Sequence, residues 1–223
     1  MRYAGILPAS YVVRSQTTRV MTFFDYFQLA ILLAIVIVFI TKAVYLRAAR
    51  NVTAIVIGRS GSIVLRLIEI VALTGLLAWL FEIAAYATHW NAAAVPAGLH
   101  RQLLNSSFAR VAGVVLVSGG LLLFVLAYLN FGASWRVGID RASPGALVTK
   151  GIFSLTRNPI YVFLDTWFIG TFLINGTLFF IVSAVLAVAS QHWQIRREED
   201  FLSERYGAAY EDYRRRTARY VIW

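Results

Sequence analysis

Long apolar runs recur along the chain, and no other feature restricts its possible folds as strongly. A helix needs about 20 mostly apolar residues to cross the hydrocarbon core of a bilayer. Four runs are long enough, at residues 23–45, 63–88, 109–129 and 159–189. Hydrophobic residues make up 59% of the 223-residue chain and charged residues only 14%, against about 25% in soluble domains. The sequence therefore predicts a polytopic membrane protein whose outer surface contacts lipid.

The fourth run is too long for one ordinary span and contains Asn175-Gly176 near its middle. A tight turn at this pair would divide the run into two short helices. The predicted fold is therefore an all-α membrane bundle of about five transmembrane helices. A C-terminal amphipathic helix follows from Ile195, because apolar and aromatic residues recur there at helical spacing. These residues are Ile195, Leu202, Tyr206, Tyr210 and Tyr213.

Three glycines lie inside the third apolar run, at Gly113, Gly119 and Gly120. Small residues let the backbones of two membrane helices approach each other closely. We therefore expect the third helix to pack tightly against a neighbour.

The positive charges are distributed unevenly between the two sides of the predicted bundle. Of the 21 Lys and Arg residues, 16 fall in segments 42–66, 136–157 and 196–219, which five spans place on one side. The positive-inside rule puts this side in the cytoplasm, with the C-terminus inside and the N-terminus outside. The net charge of +10 then favours anionic membrane lipids as partners. No nucleic-acid partner is expected, because no soluble element carries a basic face with interleaved aromatics.

Three polar features lie on the predicted cytoplasmic side. Residues 130–157 contain four glycines and a proline and are too polar to cross lipid. At the following helix start, Asn158 suits the N-cap and Pro159 suits the first turn. The C-terminal helix carries Glu198 and Glu199 in its first turn, where they suit the helix dipole. Taken singly, these features also fit a connecting loop, a capped helix and a helix lying on headgroups.

The chain contains no cysteine. This absence excludes a thiolate metal site and a catalytic thiol, and no bound metal is expected.

Four sequence blocks follow one another in the C-terminal part of the chain. They are GALVTKGIF at 145–153, TRNPIY at 156–161, REEDFL at 197–202 and YGAAYEDY at 206–213. Their order and spacing resemble the isoprenylcysteine carboxyl methyltransferase family, and phospholipid methyltransferases have a similar C-terminal half. The resemblance covers about residues 131–219 and divides the chain into two parts. The apolar runs predict an N-terminal tail and three transmembrane helices in residues 1–130. The resemblance implies that residues 131–223 hold a cofactor-binding loop, two short transmembrane helices and a lid helix as one structural unit.

The resemblance also implies a methyltransferase that binds S-adenosylmethionine at the cytoplasmic membrane face. Carboxylates and aromatic faces suit the sulfonium cation of this cofactor. The candidate catalytic residues are Arg157, Glu199 and Asp165, the last because an ionisable residue within a span is costly in lipid and is a functional candidate. The implied cofactor contacts are Leu147, Val148, Gly151, Phe153, Asn158, Pro159, Tyr161, Glu198, Glu199 and Tyr210.

Two positions depart from the family pattern and bear on the methyl acceptor. Asn158 stands where the family often has His, and Gln194 stands where it often has Arg. In the prenylcysteine enzymes that Arg lies near the acceptor carboxylate, and a carboxylate near lipid needs a cationic partner. Unless Arg157 takes that part, we expect a neutral or weakly basic lipophile, such as an amine-bearing lipid or a hydrophobic thiol. It would enter sideways from the bilayer.

Two other functions remain open from the sequence. A membrane steroid-type or sterol reductase has a distantly similar C-terminal region and would bind a nicotinamide cofactor. A non-enzymatic membrane subunit or a transporter would instead spread polar residues through its spans, whereas here they cluster at one face.

Overall fold

A computed structural model describes residues 20–50, 62–90, 95–131 and 146–221, and most of these residues are helical. The N-terminal tail up to residue 19 and residues 132–145 of the predicted cofactor loop lie outside the described residues. Two 3-10 turns, at Ala97–His100 and Gly151–Ser154, precede α3 and α4. The α-helices are α1 (Phe23–Arg50), α2 (Ile63–Ala87), α3 (Ser107–Phe131), α4 (Pro159–Asn175), α5 (Leu178–Tyr206) and α6 (Ala208–Arg216).

Four of the described helices, α1, α2, α3 and α5, are long and apolar enough to cross a membrane. The fifth apolar helix, α4, has 17 residues and is therefore about 25 Å long, slightly less than the roughly 30 Å hydrocarbon core. The predicted all-α bundle of about five membrane helices agrees with this arrangement.

The predicted turn between α4 and α5 is confirmed at Gly176. Its φ of +67° is a left-handed conformation, which favours glycine. A Cβ at this position would also lie 1.8 Å from the carbonyl oxygen of Leu104. The amides of Leu103 and Leu104 both donate to the Gly176 carbonyl, at 2.8 and 3.0 Å. The segment before α3 therefore covers this turn and fixes the α4–α5 hairpin.

Close packing of α3 against α4 depends on glycines. A Cβ on Gly113 would lie 2.6 Å from the Gly170 carbonyl oxygen, and a Cβ on Gly120 would lie 1.9 Å from the Thr166 hydroxyl oxygen. A Cβ on Gly119, in contrast, would have no atom of a neighbouring element within 4 Å. The predicted close approach is confirmed at two of the three glycines.

An aromatic cluster forms the centre of the bundle and joins α2, α3 and α4. Trp79 stacks on Phe168 with ring centroids 3.9 Å apart and meets Trp167 edge-on at 5.0 Å. Phe163 stacks on Trp167 and lies tilted against Phe124, with centroids 5.4 and 4.9 Å apart. Their shared burial and offset ring geometry stabilise the cluster by packing and by aromatic contact.

A buried pair of amides attaches α1 to the hairpin. Gln28 and Asn175 exchange hydrogen bonds of 3.1 and 2.8 Å, each side chain acting as donor and acceptor. The backbone carbonyl of Asn175 also accepts from the Gln102 amide at 2.9 Å. These bonds satisfy polar groups that would be costly in a lipid environment.

The C-terminal region differs from the prediction of two short helices followed by a separate helix from Ile195. Helix α5 instead continues for 29 residues through the apolar run and the polar segment. No glycine or proline interrupts residues 178–206, so nothing ends the helix at the change in polarity. Gly207, with a φ of +53°, separates it from the short α6. Trp193 lies half-exposed near the change in polarity, under the Arg197 guanidinium, as interfacial tryptophans do.

Candidate functional site

A buried carboxylate, Glu199, connects α4, α5 and the chain after α6. Its Oε1 accepts hydrogen bonds from Arg157 Nε and Nη2 at 3.2 and 2.9 Å. Its Oε2 accepts from Arg219 Nε and Nη2 at 3.1 and 2.7 Å. Glu199 is only 5% exposed, and two forked guanidinium contacts satisfy its charge. These three residues are called the Glu199 cluster below.

The remaining donors of Arg157 fasten the C-terminal segment. Its Nη1 donates to the backbone carbonyls of Arg214, at 3.0 Å, and Thr217. Its backbone amide donates to the Ala218 carbonyl at 2.9 Å, and Thr156 forms an isolated parallel bridge with Ala218. Residues 217–219 therefore lie beside the start of α4. The Arg157 cation also faces the C-terminal end of α6, where the helix dipole favours positive charge.

Asn158 occupies the predicted N-cap position of α4 but forms no capping bond with its side chain. The Asn158 Nδ2 donates instead to the Arg219 carbonyl at 3.1 Å and to Glu199 Oε1 at 3.4 Å. A side-chain cap needs an acceptor atom facing the first amides, whereas here the amide group is turned toward two acceptors. The capping prediction was wrong for this side chain. Pro159 is buried and occupies the first helical position, as predicted.

A second carboxylate, Glu198, faces α4 rather than the Glu199 cluster. Its Oε1 accepts from the Tyr161 hydroxyl at 2.6 Å and from Gln194 Nε2 at 3.0 Å. Adjacent residues on a helix point about 100° apart, so the two glutamates contact different partners. Gln194, the residue that replaces the family's arginine, is thus engaged with Glu198.

The described end of the predicted cofactor loop packs onto α3 and α6. Val148 is half-buried and contacts a small cluster that includes Ile152 and Phe153, and Leu147 is also half-buried. The carbonyl of Phe153 accepts from the Tyr213 hydroxyl at 2.7 Å. Gly151 has a φ of +64°, and its α-carbon faces Asn130 at the end of α3.

The predicted cofactor contact Tyr210 belongs to this part of the structure. It is 1% exposed and lies edge-on to Tyr213, with ring centroids 6.1 Å apart. Burial raises the pKa of the Tyr210 hydroxyl, and the neighbouring Glu199 charge raises it further.

The third candidate catalytic residue, Asp165, is not part of the Glu199 cluster. Its Oδ1 is buried and has no hydrogen-bond partner among the described residues. Its charge acts instead on Tyr220. Burial is the main cause of the raised pKa of Tyr220, and the Asp165 charge raises it further. The Tyr220 hydroxyl is hydrogen-bonded to His192 Nδ1, and the two rings stack at 6.1 Å.

The structure thus assembles Arg157, Asn158, Glu199 and Tyr210 in one region and places Asp165 in another. Four further residues of these two regions were not predicted from the sequence: Arg219, Thr217, Tyr220 and His192. Arg219 was counted among the basic residues that set topology, and a charge count alone does not distinguish it from exposed arginines. The aromatic spacing of the tail indicated burial of Tyr213, though not its bond to Phe153.

Comparison with known proteins supports the predicted resemblance. Residues 108–209 match the family model described as phospholipid methyltransferase. No curated protein and no solved structure matches the chain. The matched segment contains most of α3, all of α4 and α5, and both glutamates, and it ends before Arg219 and Tyr220. Residues 108–209, slightly less than half of the chain, are thus similar to the phospholipid methyltransferase family.

Proposed function

We propose that the chain transfers a methyl group from S-adenosylmethionine to a lipophilic acceptor at the cytoplasmic membrane face. The observation that carries the proposal is the convergence of Glu198, Glu199 and Arg157 where α5 becomes polar and α4 begins. This convergence lies inside the segment that matches the phospholipid methyltransferase family.

The side chains near Glu198 fit the cofactor. Within the described residues both hydrogen bonds to Glu198 go to Oε1, which leaves Oε2 for a ligand. A half-buried carboxylate beside the Tyr161 ring suits a sulfonium cation or paired ribose hydroxyls. Glu198 and Tyr161 would hold the cofactor, with Leu147 and Val148 against its apolar parts. When bound, the cofactor supplies a methyl group already activated by a sulfonium leaving group.

Glu199 and Arg157 have a different part in this proposal. Both Glu199 oxygens and all three Arg157 nitrogens are engaged within the protein. We therefore assign them as positioning residues that hold residues 217–219 over the start of α4. A fixed C-terminal segment excludes water and orders the reacting groups, which is most of what a direct methyl displacement requires.

The engagement of Arg157 also bears on the acceptor. A carboxylate acceptor near lipid needs a cation, but the Arg157 guanidinium is directed to Glu199 and to backbone carbonyls. Gln194, at the family's arginine position, is neutral. These contacts support a neutral or weakly basic lipophile, such as an amine-bearing lipid or a hydrophobic thiol.

The first test is equilibrium binding of radiolabelled S-adenosylmethionine to detergent-purified protein. Glu198→Gln should weaken binding by more than about tenfold, because a hydrogen bond to a charged group contributes roughly 1.5–3 kcal/mol. Glu204→Gln, an exposed position on the same helix, is the matched control and should bind normally. Absence of binding by the wild-type protein would refute the methyltransferase proposal, and equal binding by Glu198→Gln would remove Glu198 from the site.

A competition assay tests the acceptor. Purified protein with labelled cofactor would receive phosphatidylethanolamine, small apolar thiols and prenylcysteine analogues together. We expect label in the amine or thiol product. Preferential transfer to the prenylcysteine carboxyl oxygen would contradict the inference that neither Gln194 nor Arg157 supplies a cation to a carboxylate acceptor.

A further inference from the structure

A second polar cluster lies between α4, α5 and the end of the described chain. Tyr220 is hydrogen-bonded to His192, the charge of Asp165 acts on Tyr220, and Gln191 precedes His192 on α5. These four residues are called the Asp165 cluster below. Asp165 lies six residues after Pro159, about 9 Å along the α4 axis. The cluster is therefore deeper in the bundle than the Glu199 cluster, and within the described residues no hydrogen bond or ion pair joins Asp165 to Arg157 or Glu199.

Helix register places two members of this cluster on facing surfaces. Tyr161 contacts Glu198 across the α4–α5 interface. Asp165 follows Tyr161 by one turn, and Gln191 precedes Glu198 by two turns, so in an antiparallel hairpin both continue the same interface toward the bundle interior. This interface lies directly beside the proposed cofactor contacts.

Two acceptor atoms in the cluster have no donor. The Oδ1 atom of Asp165 and the Oε1 atom of Gln191 are both buried and have no hydrogen-bond partner among the described residues. Buried polar atoms are nearly always paired, and an exception calls for an explanation. Because both atoms are acceptors, the group that satisfies them must carry N–H, O–H or S–H.

We propose that Asp165 is the base that takes the acceptor's proton, and that Tyr220 and His192 connect it to cytoplasmic water. The inference rests on the proposed methyl transfer. As the acceptor nitrogen or sulfur bonds to the methyl carbon, the methyl–sulfur bond breaks and its electron pair stays on sulfur. The acceptor's N–H or S–H proton moves to the Asp165 carboxylate. A carboxylate acceptor has no such proton, so this base is consistent with an amine or a thiol.

Asp165 acts on Tyr220 through its charge, and the observed contacts continue the path from Tyr220 to His192. Tyr220 is hydrogen-bonded to His192 Nδ1 and stacks on its ring, and hydroxyl and imidazole groups both donate and accept protons. Both residues are half-buried, and the adjacent Trp193 is exposed where α5 changes from apolar to polar. The charged groups that act on Tyr220 are Asp165 from α4, Arg219 beside it in the chain and Glu199 from α5.

Nuclear magnetic resonance of histidine-labelled protein tests the connection without any acceptor or cofactor. The chain has three histidines, and His192→Gln identifies the His192 signal by its loss. Tyr220→Phe should shift the Nδ1 resonance of His192 by removing its hydrogen-bond partner. Asp165→Asn should shift the same resonance through Tyr220, whereas Asp200→Asn, an exposed control on α5, should not. An unchanged His192 signal in Asp165→Asn would overturn the connection.

Transfer of tritium from labelled S-adenosylmethionine into organic-extractable lipid of the host membranes tests the base. Asp165→Asn should lower the rate by about 100-fold or more, the usual contribution of a general base, with cofactor affinity unchanged. Tyr220→Phe should alter the pH–rate profile more than the apparent KM. A normal rate in Asp165→Asn would overturn the base while leaving the proposed function intact. A wild-type protein that neither binds the cofactor nor labels lipid would refute the proposed function, and the base with it.

Discussion

At the scale of single residues, two adjacent glutamates have different surroundings. Glu198 faces Tyr161 and Gln194 on one side of α5, and Glu199 lies between Arg157 and Arg219 on another. The sequence presents them as a pair, because their partners lie far away in the chain. Arg157 is 42 residues from Glu199 and Arg219 is 20. Only the fold distinguishes Glu198, which accepts bonds at one carboxylate oxygen, from Glu199, which accepts bonds at both.

This difference predicts that Glu199→Gln destabilises the protein. The Arg157 side chain is 7% exposed, and removing one partner of a buried ion pair leaves an uncompensated charge. The cost is about 3 kcal/mol for such a pair. Arg219 is 36% exposed, so water compensates its loss more fully. Thermal unfolding in detergent should show a lower midpoint for Glu199→Gln than for the exposed control Asp200→Asn. Equal midpoints would contradict a structural part for Glu199.

At the scale of helices, the contact between α3 and α4 depends on the absence of side chains at two positions. The backbones of Gly113 and Gly170 face each other so closely that a Cβ on either would meet the other's carbonyl oxygen. Backbone atoms cannot move aside as a side chain can. Since α4 carries Asp165 and Tyr161, this contact also positions the proposed site.

Two glycine substitutions in α3 should therefore differ in their effect on stability. Gly113→Ala forces α3 and α4 apart and should lower the free energy of unfolding by about 1–3 kcal/mol, the typical cost of overpacking. Gly119→Ala meets open space and should be neutral or stabilising by up to about 1 kcal/mol, because alanine favours the helix. Thermal unfolding of both variants is the measurement. If Gly119→Ala lowered the unfolding midpoint and Gly113→Ala left it unchanged, the described contact between α3 and α4 would be contradicted.

The sequence predicts the helices better than it predicts their contacts. The apolar runs locate α1 to α4 within a few residues, since each run ends at polar residues or glycine. The end of α5 could not be located in this way, because its apolar and polar parts both favour helix. Likewise, Glu198, Tyr161 and Asp165 are recognisable from motifs and from the cost of charge in lipid. Tyr220 and Arg219 can be recognised only from the structure, in which the C-terminal segment folds back onto α4.

At the scale of the whole molecule, the hairpin brings the start of α4 and the end of α5 to the same side of the bundle. The Glu199 cluster joins these two ends. The same side carries 16 of the 21 Lys and Arg residues if the chain crosses the membrane five times. The charge distribution and the proposed site are therefore compatible with one cytoplasmic face.

Reporter fusions test this orientation. A reporter that is active only in the cytoplasm should be active when fused after Trp223. The same reporter inserted at Gly98, which has open space around it between α2 and α3, should be inactive. The reverse pattern would show that the C-terminus lies outside and that the charge argument is wrong.

The amide pair between α1 and α4 determines the order in which helix contacts can form during synthesis. Gln28 and Asn175 are separated by 147 residues, which a ribosome takes about 7–30 s to synthesise at roughly 5–20 residues per second. During this interval α1 has left the ribosome, while the partner of its amide does not yet exist. Gln28 must meanwhile bond to water, to the insertion machinery or to another helix, since an unpaired amide is costly in lipid. The first helix can therefore complete its final contacts only after Asn175 has been synthesised and the α4–α5 hairpin has formed.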